Sequence, residues 1–299
     1  NNLPANMIKK LQLFKEESDN AKVTGFRDKN PSQVLNLVVK EEMKQSIFGD
    51  VKLGGGSDDK YSNKVLLNYM QNDNQASIVG DINNVGSSEY GSAGNGTTTE
   101  KNVGGSFYSQ GSDKLRIGGN VRYSRNDNMV ESNSSYYTIS RNQYLREQSF
   151  TKNTRNDASA GLNMQWTPDS LTTIYFRTNM GQDKSKRFTH STTQADAQNG
   201  VSNDTTTSFF DDKGYNLNST LTIGRKLNDK GRTLSLSINN MFRDNKGNGV
   251  NHSNVLISGD KTILDQKIDT ETKSNNIGAA LSYVEPLGED RSFMISYSI

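Results

Sequence analysis

One feature constrains the fold of this chain more than any other. Apolar and polar side chains alternate in runs of about ten residues, and the runs are joined by polar connections of two lengths. Leu115, Ile117, Gly119, Val121 and Tyr123 fall on one side of such a run. Arg116, Gly118, Asn120, Arg122 and Ser124 fall on the other. Successive side chains of a strand point to opposite faces, so this segment has one apolar side and one wet side. The pattern recurs along most of the chain.

The alternation explains a composition that would suit a soluble core poorly. Of the 299 residues only 31% are hydrophobic, and the mean hydropathy is -0.80. Soluble domains usually carry roughly 45–50% apolar residues on a count that includes glycine. A barrel wall needs an apolar residue only at every second position. Disorder would remove the periodic β-branched and aromatic positions seen here.

Strands are expected near 46–54, 60–70, 75–83, 100–110, 115–125, 156–166, 171–180, 213–225, 232–243, 274–285 and 291–299. Leu217, Leu221 and Ile223 share a face, as do Leu234, Leu236, Ile238 and Phe242. The same holds for Ile277, Ala279, Leu281 and Tyr283, and for Phe293, Ile295, Tyr297 and Ile299. Run 171–180 is ambiguous, because Ile174 and Phe176 favour one face and Leu171 and Tyr175 the other. Connections 71–74, 111–114, 167–170, 226–231 and 285–290 read as short. Stretches 84–99, 126–155, 181–212 and 244–273 read as long polar loops. Outer-membrane barrels place short turns on the periplasmic side and longer loops outside. Tyr69, Tyr123, Trp166, Phe242 and Tyr283 lie near the expected strand ends, where aromatic girdles belong.

The expected fold class is therefore all-β: part of an antiparallel transmembrane β-barrel, residues 46–299, preceded by an α+β unit over residues 1–45. Pro4 would sit in the first turn of a short helix capped by Asn2, and Met7, Ile8 and Leu11 have helical spacing. Leu11, Leu13 and Phe14 start a strand. Val34, Leu35, Leu37, Val38 and Val39 read as a second, buried strand. Eleven strands is an odd number, whereas single-chain bacterial barrels usually have an even one. A sheet edge cannot stand open in lipid. The chain is therefore expected to be part of a larger barrel.

The first fifty residues carry a family resemblance. The stretch from Leu3 to Leu13, LPANMIKKLQL, resembles the late plug helix and strand of TonB-dependent outer-membrane receptors. Val34-Leu35-Asn36-Leu37-Val38-Val39-Lys40 resembles their last plug strand, and Phe48-Gly49-Asp50-Val51 their first barrel strand. Asn30-Pro31-Ser32-Gln33 replaces the Gly-rich stretch expected before Val34, a version closer to the Bacteroidota-type receptors than to siderophore receptors. The resemblance implies a 22-stranded barrel, of which eleven strands lie here, occluded by a plug. It implies nutrient uptake across the outer membrane of a Gram-negative bacterium. The energy would come from an inner-membrane TonB-type complex that contacts residues outside this chain. Outer-membrane lipid would surround the wall, and a surface lipoprotein over the loops is a candidate partner.

Few residues suggest chemistry. Cysteine is absent, which excludes disulfides and thiolate metal sites. His190 and His252 are the only histidines and lie far apart in sequence, a poor zinc pattern. Asp244-Asn245-Lys246-Gly247-Asn248-Gly249 echoes a calcium loop, but Lys246 stands where an oxygen ligand is needed, so it reads as a polar turn. Asp58-Asp59 and Asp211-Asp212 read as solvated rim. Neither a nucleophile elbow nor a phosphate loop is present. No catalytic residue, cofactor or metal is expected. A net charge of +2 gives no nucleic-acid signal.

Candidate substrate contacts are Arg122, Tyr175 and Arg177 on the lumen face, and the loop aromatics Tyr136, Tyr137, Tyr144, Phe209 and Phe210. Pairing with plug carboxylates is the more ordinary role for lumen arginines, and packing on one another the more ordinary role for loop aromatics. Two other readings compete with the importer. One is a non-transporting barrel, such as an adhesin or a secretion-associated protein. The other is an extracellular soluble β-protein, which would need a second sheet over Leu234, Leu236 and Ile238.

Overall fold

The computed structural model describes residues 7–26, 28–86, 96–197, 200–257, 260–288 and 291–299, apart from the side chains of 141, 197 and 200. Two sheets make up the fold. A two-stranded antiparallel ribbon pairs β1 (Ile8–Glu16) with β2 (Ser32–Val39), and α1 (Asp19–Thr24) lies between them in sequence. The second sheet has eleven antiparallel strands in sequence order. They are β3 (Gln45–Gly55), β4 (Tyr61–Gln71), β5 (Asn74–Asn83), β6 (Thr97–Ser112), β7 (Leu115–Thr138) and β8 (Gln143–Trp166), then β9 (Thr172–Ala197), β10 (Gly200–Lys226), β11 (Thr233–Ile257), β12 (Asp260–Pro286) and β13 (Ser292–Ser298). β3 and β13 form its two edges.

The eleven expected strands all form, and the short connections stand at one end. The opposite ends differ from expectation. Stretches 126–155, 181–212 and 244–273 are not long loops. They continue the strands, so that β7 to β12 run for 24 to 27 residues each. Of 84–99, residues 97–99 join β6 and 87–95 lie outside the described residues. At about 3.3 Å per residue these strands reach roughly 80–90 Å. A membrane crossing uses only ~9–11 residues. The upper parts of the ladders carry Thr, Ser, Asn and charged side chains on both faces, so no apolar period marks them. Backbone pairing and cross-strand polar contacts hold them instead, among them Lys186–Asp211 at 3.2 Å and Asn251–Gln266 at 3.1 Å. Tyr123 and Phe242 accordingly lie within strands rather than at their ends.

The amino-terminal unit also departs from expectation. Asn2 and Pro4 lie outside the described residues, whereas Ile8 and Leu11 belong to β1 and not to a helix. β2 is largely exposed rather than buried, with only Val39 in the small cluster that Met7 and Met70 complete. That cluster, with Met43 and Phe48 against it, pins the ribbon to the start of the large sheet.

Register sorts the faces. Gly224 of β10 packs on Val23 of α1, so the face carrying Gly224 is the inner one. Leu115, Trp166, Ile174, Ile223, Leu236 and Leu281 form one continuous row on the other face. Ile117, Met164, Phe176, Leu221, Ile238 and Ala279 form the next. Ile174 and Phe176 are thus outward, and Tyr175 and Arg177 inward, which settles the ambiguous run. Above a mixed row, in which Thr178 and Ser219 bond to each other at 2.7 Å, come Val121, Ala160, Met180, Leu217 and Phe242. A row with Tyr123, Gln182 and Tyr215 follows, then Arg125, Lys184, Lys213 and Lys246. The apolar band therefore ends at tyrosines and then at charge.

Candidate functional site

The inner face gathers the polar chemistry of the chain. Its anchor is α1, a helix of six residues with clear local signals. The Ser18 side chain accepts a hydrogen bond from the Ala21 N–H, and Gly25 ends the helix in the left-handed conformation at φ 72°. Asp28 folds back on this cap. Its carboxylate accepts from the Ser18 N–H at 2.5 Å and from the Ser18 hydroxyl at 3.0 Å. The backbone bond from Ser18 is the main reason its pKa lies below the ordinary value of 3.8.

The helix meets the wall through two contacts. Gly224 gives space to Val23: a Cβ added there would stand 1.8 Å from Val23 Cγ1. Arg177 clamps Asp19 through two parallel bonds, Nε to Oδ2 at 2.7 Å and Nη2 to Oδ1 at 2.8 Å. Tyr175, one turn of the pleat below Arg177, is 9% exposed and sits among the cations Lys22, Arg116 and Arg177. A cavity of about 650 Å³ opens between the helix and the wall, bordered by Glu17, Asp28, Arg177, Thr220 and Ser237.

A second recess of about 360 Å³ lies higher on the inner wall, around Gly214 and Gly247. A side chain on either glycine would have to push neighbouring polar side chains aside. Asp183 Oδ1 and Asn245 Oδ1 stand 2.5 and 2.8 Å from where a Gly214 Cβ would lie, and Asp212 Oδ1 stands 2.3 Å from that of Gly247. Arg243 and Thr270 complete the lining. The recess combines carboxylates, amides, a hydroxyl and a guanidinium, a set that binds polar solutes through hydrogen bonds. It offers no paired acid and base or activated nucleophile.

The sequence-derived candidates do not converge. Arg122 lies on the inner face, with Nη2 at 3.5 Å from Asn102 Oδ1. Tyr175 and Arg177 lie beside α1. Tyr136 shares the inner face far up β7, and Phe210 packs its ring against Gly249 on the same face. Tyr137, Tyr144 and Phe209 point outward. The Tyr137 hydroxyl bonds Asn142, its ring lies 6.4 Å from that of Tyr144, and Arg146 covers the latter at 5.6 Å. All five aromatics stand on strands or strand ends, not on loops.

The histidines are also on strands and face outward. His190 Nδ1 bonds Thr207 Oγ1 at 2.9 Å, and His252 Nδ1 lies 2.5 Å from Asp265. Residues 244–249 belong to β11 rather than to a turn. Asp58 and Asp59 adopt φ of 57° and 56° in the β3–β4 turn, and Asp211 pairs with Lys186. Among the described residues no three His, Cys, Asp or Glu side chains come together around a metal position. The residues that sequence reasoning missed are Asp19, Asp183, Asp212, Arg243 and Asn245. Ser18 and Gly25 bracketing six residues signalled the first. Asp183 read as loop, Asp212 as solvated rim and Asn245 as a polar turn, while Arg243 stood at the end of an expected strand with no site signal.

No family model matches the chain, and no curated protein does. Among solved structures it is similar to the ferric yersiniabactin uptake receptor FyuA from Yersinia pestis, at 13% identity and a TM-score of 0.25, over 97% of this chain and 51% of that one. It is also similar to the ferric-catecholate import receptor Fiu from E. coli K12, at 11% identity and a TM-score of 0.31, over 96% of this chain and 59% of that one. The chain thus spans between half and three-fifths of their lengths. The functional reading rests on the chain's own geometry.

Proposed function

We propose that residues 46–299 form part of the wall of an outer-membrane barrel in a Gram-negative bacterium. Residues 1–45 are then the end of a plug, and the whole protein is an importer of TonB-type energy coupling. One observation carries this reading. Stacked outward rows of large apolar side chains stand open, with Val121 at 61%, Ile277 at 67% and Ile78 at 57% exposure. They are bounded above by tyrosines and then by cations, while the opposite face holds a helix by a clamped ion pair. A soluble protein does not leave so wide an apolar surface bare. Arg or Lys at mid-depth on a lipid face costs about 2–4 kcal/mol, and Arg116, Arg122 and Arg177 are all on the inner face. Lipid surrounds the band, and the edges β3 and β13 pair with strands outside this chain. Energy coupling runs through residues outside it as well. Arg122 and the recess around Gly214 contact the passing solute. A surface lipoprotein above the long hairpins is the remaining candidate partner.

Single-cysteine scanning of the full-length protein in membranes tests the reading. Leu234, Leu236, Ile238, Phe293 and Ile295 are expected to take a lipid-soluble thiol probe. Ser235, Ser237 and Asn239 are expected not to. Water-soluble labelling at the first set removes the membrane and with it the importer.

A further inference from the structure

On the outer face of β8 to β11, at the top of the apolar band, lies a groove of about 500 Å³. The small side chains of Ala158 and Ala160 leave the space. Met180, Leu217 and Phe242 wall it, and Tyr215 stands at its upper end. The Tyr215 hydroxyl accepts from Gln182 Nε2 at 2.9 Å.

The row directly above the groove repeats one charge. Lys184, Lys213 and Lys246 stand directly opposite one another on β9, β10 and β11. Side chains in such positions have Cβ atoms only about 4.5–5.5 Å apart, and like charges there destabilise a sheet. Neighbouring acids do not cancel the row. Glu271 pairs with Lys246 at 2.9 Å, Asp211 with Lys186 at 3.2 Å and Asp127 with Arg125 at 2.8 Å. Asp244 stands opposite Lys273 in the ladder, and Asp183 and Asp212 belong to the inner face. Among the described residues neither Lys184 nor Lys213 is in ion-pair contact with a carboxylate. Both bear on the upper end of the groove instead. Lys213 Nζ lies 4.8 Å from the centre of the Tyr215 ring, and the Tyr215 hydroxyl lies in the field of both lysines. Asn156, opposite Lys184, gives its Oδ1 to the Tyr123 hydroxyl at 3.0 Å, which leaves its amide N–H groups as donors at the same level.

Uncompensated positive charge thus stands at the head of an apolar groove. A phosphate between Lys184 and Lys213 turns their repulsion into charge-assisted contacts. The lysine stems cover apolar surface while their ammonium groups reach the polar layer. A hydrocarbon chain running down the strands from that phosphate fills the space beside Ala158 and Ala160. Free phosphate meets only the first need, and an uncharged lipid only the second.

We propose that Lys184, Lys213 and the groove beneath them bind one phosphate-bearing lipid, with its headgroup between the lysines and an acyl chain against Ala158 and Ala160. The site presupposes that the outward band faces lipid. Cysteine scanning judges the band and lipid binding judges the site, so each fails by its own measurement.

Native mass spectrometry of the full-length protein, released from an uncharged detergent, measures the affinity for added lipid. The probes are dioleoyl phosphatidic acid, dioleoyl phosphatidylcholine and inorganic phosphate. Phosphatidic acid is expected to bind about tenfold more tightly than phosphatidylcholine, and Lys184→Gln/Lys213→Gln to remove most of that preference. Ala160→Leu fills the groove and is expected to weaken phosphatidic acid severalfold with both lysines in place. Without lipid, the double lysine variant is expected to melt no lower than the parent protein, because it relieves a repulsion. That sign separates a lost site from a lost fold. Equal binding of the two lipids overturns the proposal, as does a preference that survives the double variant. Phosphatidic acid binding unchanged in Ala160→Leu, or inorganic phosphate competing as well as the lipid, reduces the site to a bare anion contact and overturns it too.

Discussion

At the scale of residues, steric fit positions α1 on the wall more than charge does. The Asp19–Arg177 pair has good geometry, but Arg177 is 55% exposed, so screening limits it to about 1 kcal/mol or less. Val23 filling the space above Gly224 is the stricter condition. Gly224→Ala is expected to destabilise the docked helix by about 1–3 kcal/mol through overpacking. Val23→Ala removes the colliding methyls, so the double variant recovers most of that loss. Thermal unfolding of both singles and the double measures the coupling, and simple additivity would disprove the contact. Asp28 makes a different prediction. Its folded pKa lies below the ordinary 3.8, so its contribution is present above that value and is lost as pH falls through the folded pKa. Intrinsic-rate-corrected hydrogen exchange at the Ser18 amide is therefore expected to show protection near neutrality that disappears in acid. Asp28→Asn should lack that transition, and an identical acid transition in the variant would refute the assignment.

At the scale of elements, the strands show what a sequence displays and what it hides. Every strand with one apolar face announces itself, because Leu234, Leu236 and Ile238 alternate with Ser235, Ser237 and Asn239. The inward place of Arg122 follows from the same period, whereas that of Tyr175 and Arg177 needed the ladder register, because Leu171 and Tyr175 compete with Ile174 and Phe176 in that run. The upper halves of β7 to β12 are wet on both faces and carry no such obligation. Their Asn, Gly and Asp residues have low strand propensity, and pairing with an already formed neighbour overrides it. That is why Phe209, Phe210 and residues 244–249 read as loop, and why the recess around Gly214 was invisible. The two halves should also differ in local stability. Hydrogen exchange along β9 and β10 is expected to fall into two levels, strong protection below Gln182 and Tyr215 and weaker protection above. The upper ladder buries little apolar surface and opens independently. Uniform protection from end to end would mean that the extensions are held by something beyond their own pairing.

At the scale of the whole molecule, an energy-coupled importer must let its plug move relative to the wall, whereas a static barrel need not. The contact between Val23 and Gly224 offers a clean handle on that difference. The Val23 Cβ lies 3.0 Å from where a Gly224 Cβ would stand, slightly inside the ~3.5–4.5 Å that a disulfide spans. A shift of about half an ångström in α1 accommodates the bond, and residues 1–299 contribute no competing thiol. The double variant Val23→Cys/Gly224→Cys is expected to cross-link under oxidising conditions. In the full-length protein, the cross-linked form should bind solute at the outer surface yet fail to import it, and a reductant should restore uptake. The single variant Val23→Cys controls for side-chain loss and should import under both conditions. Undiminished uptake by the fully cross-linked protein would show that α1 does not move during transport. The solute would then pass a fixed α1, or the barrel would not be an importer of this type.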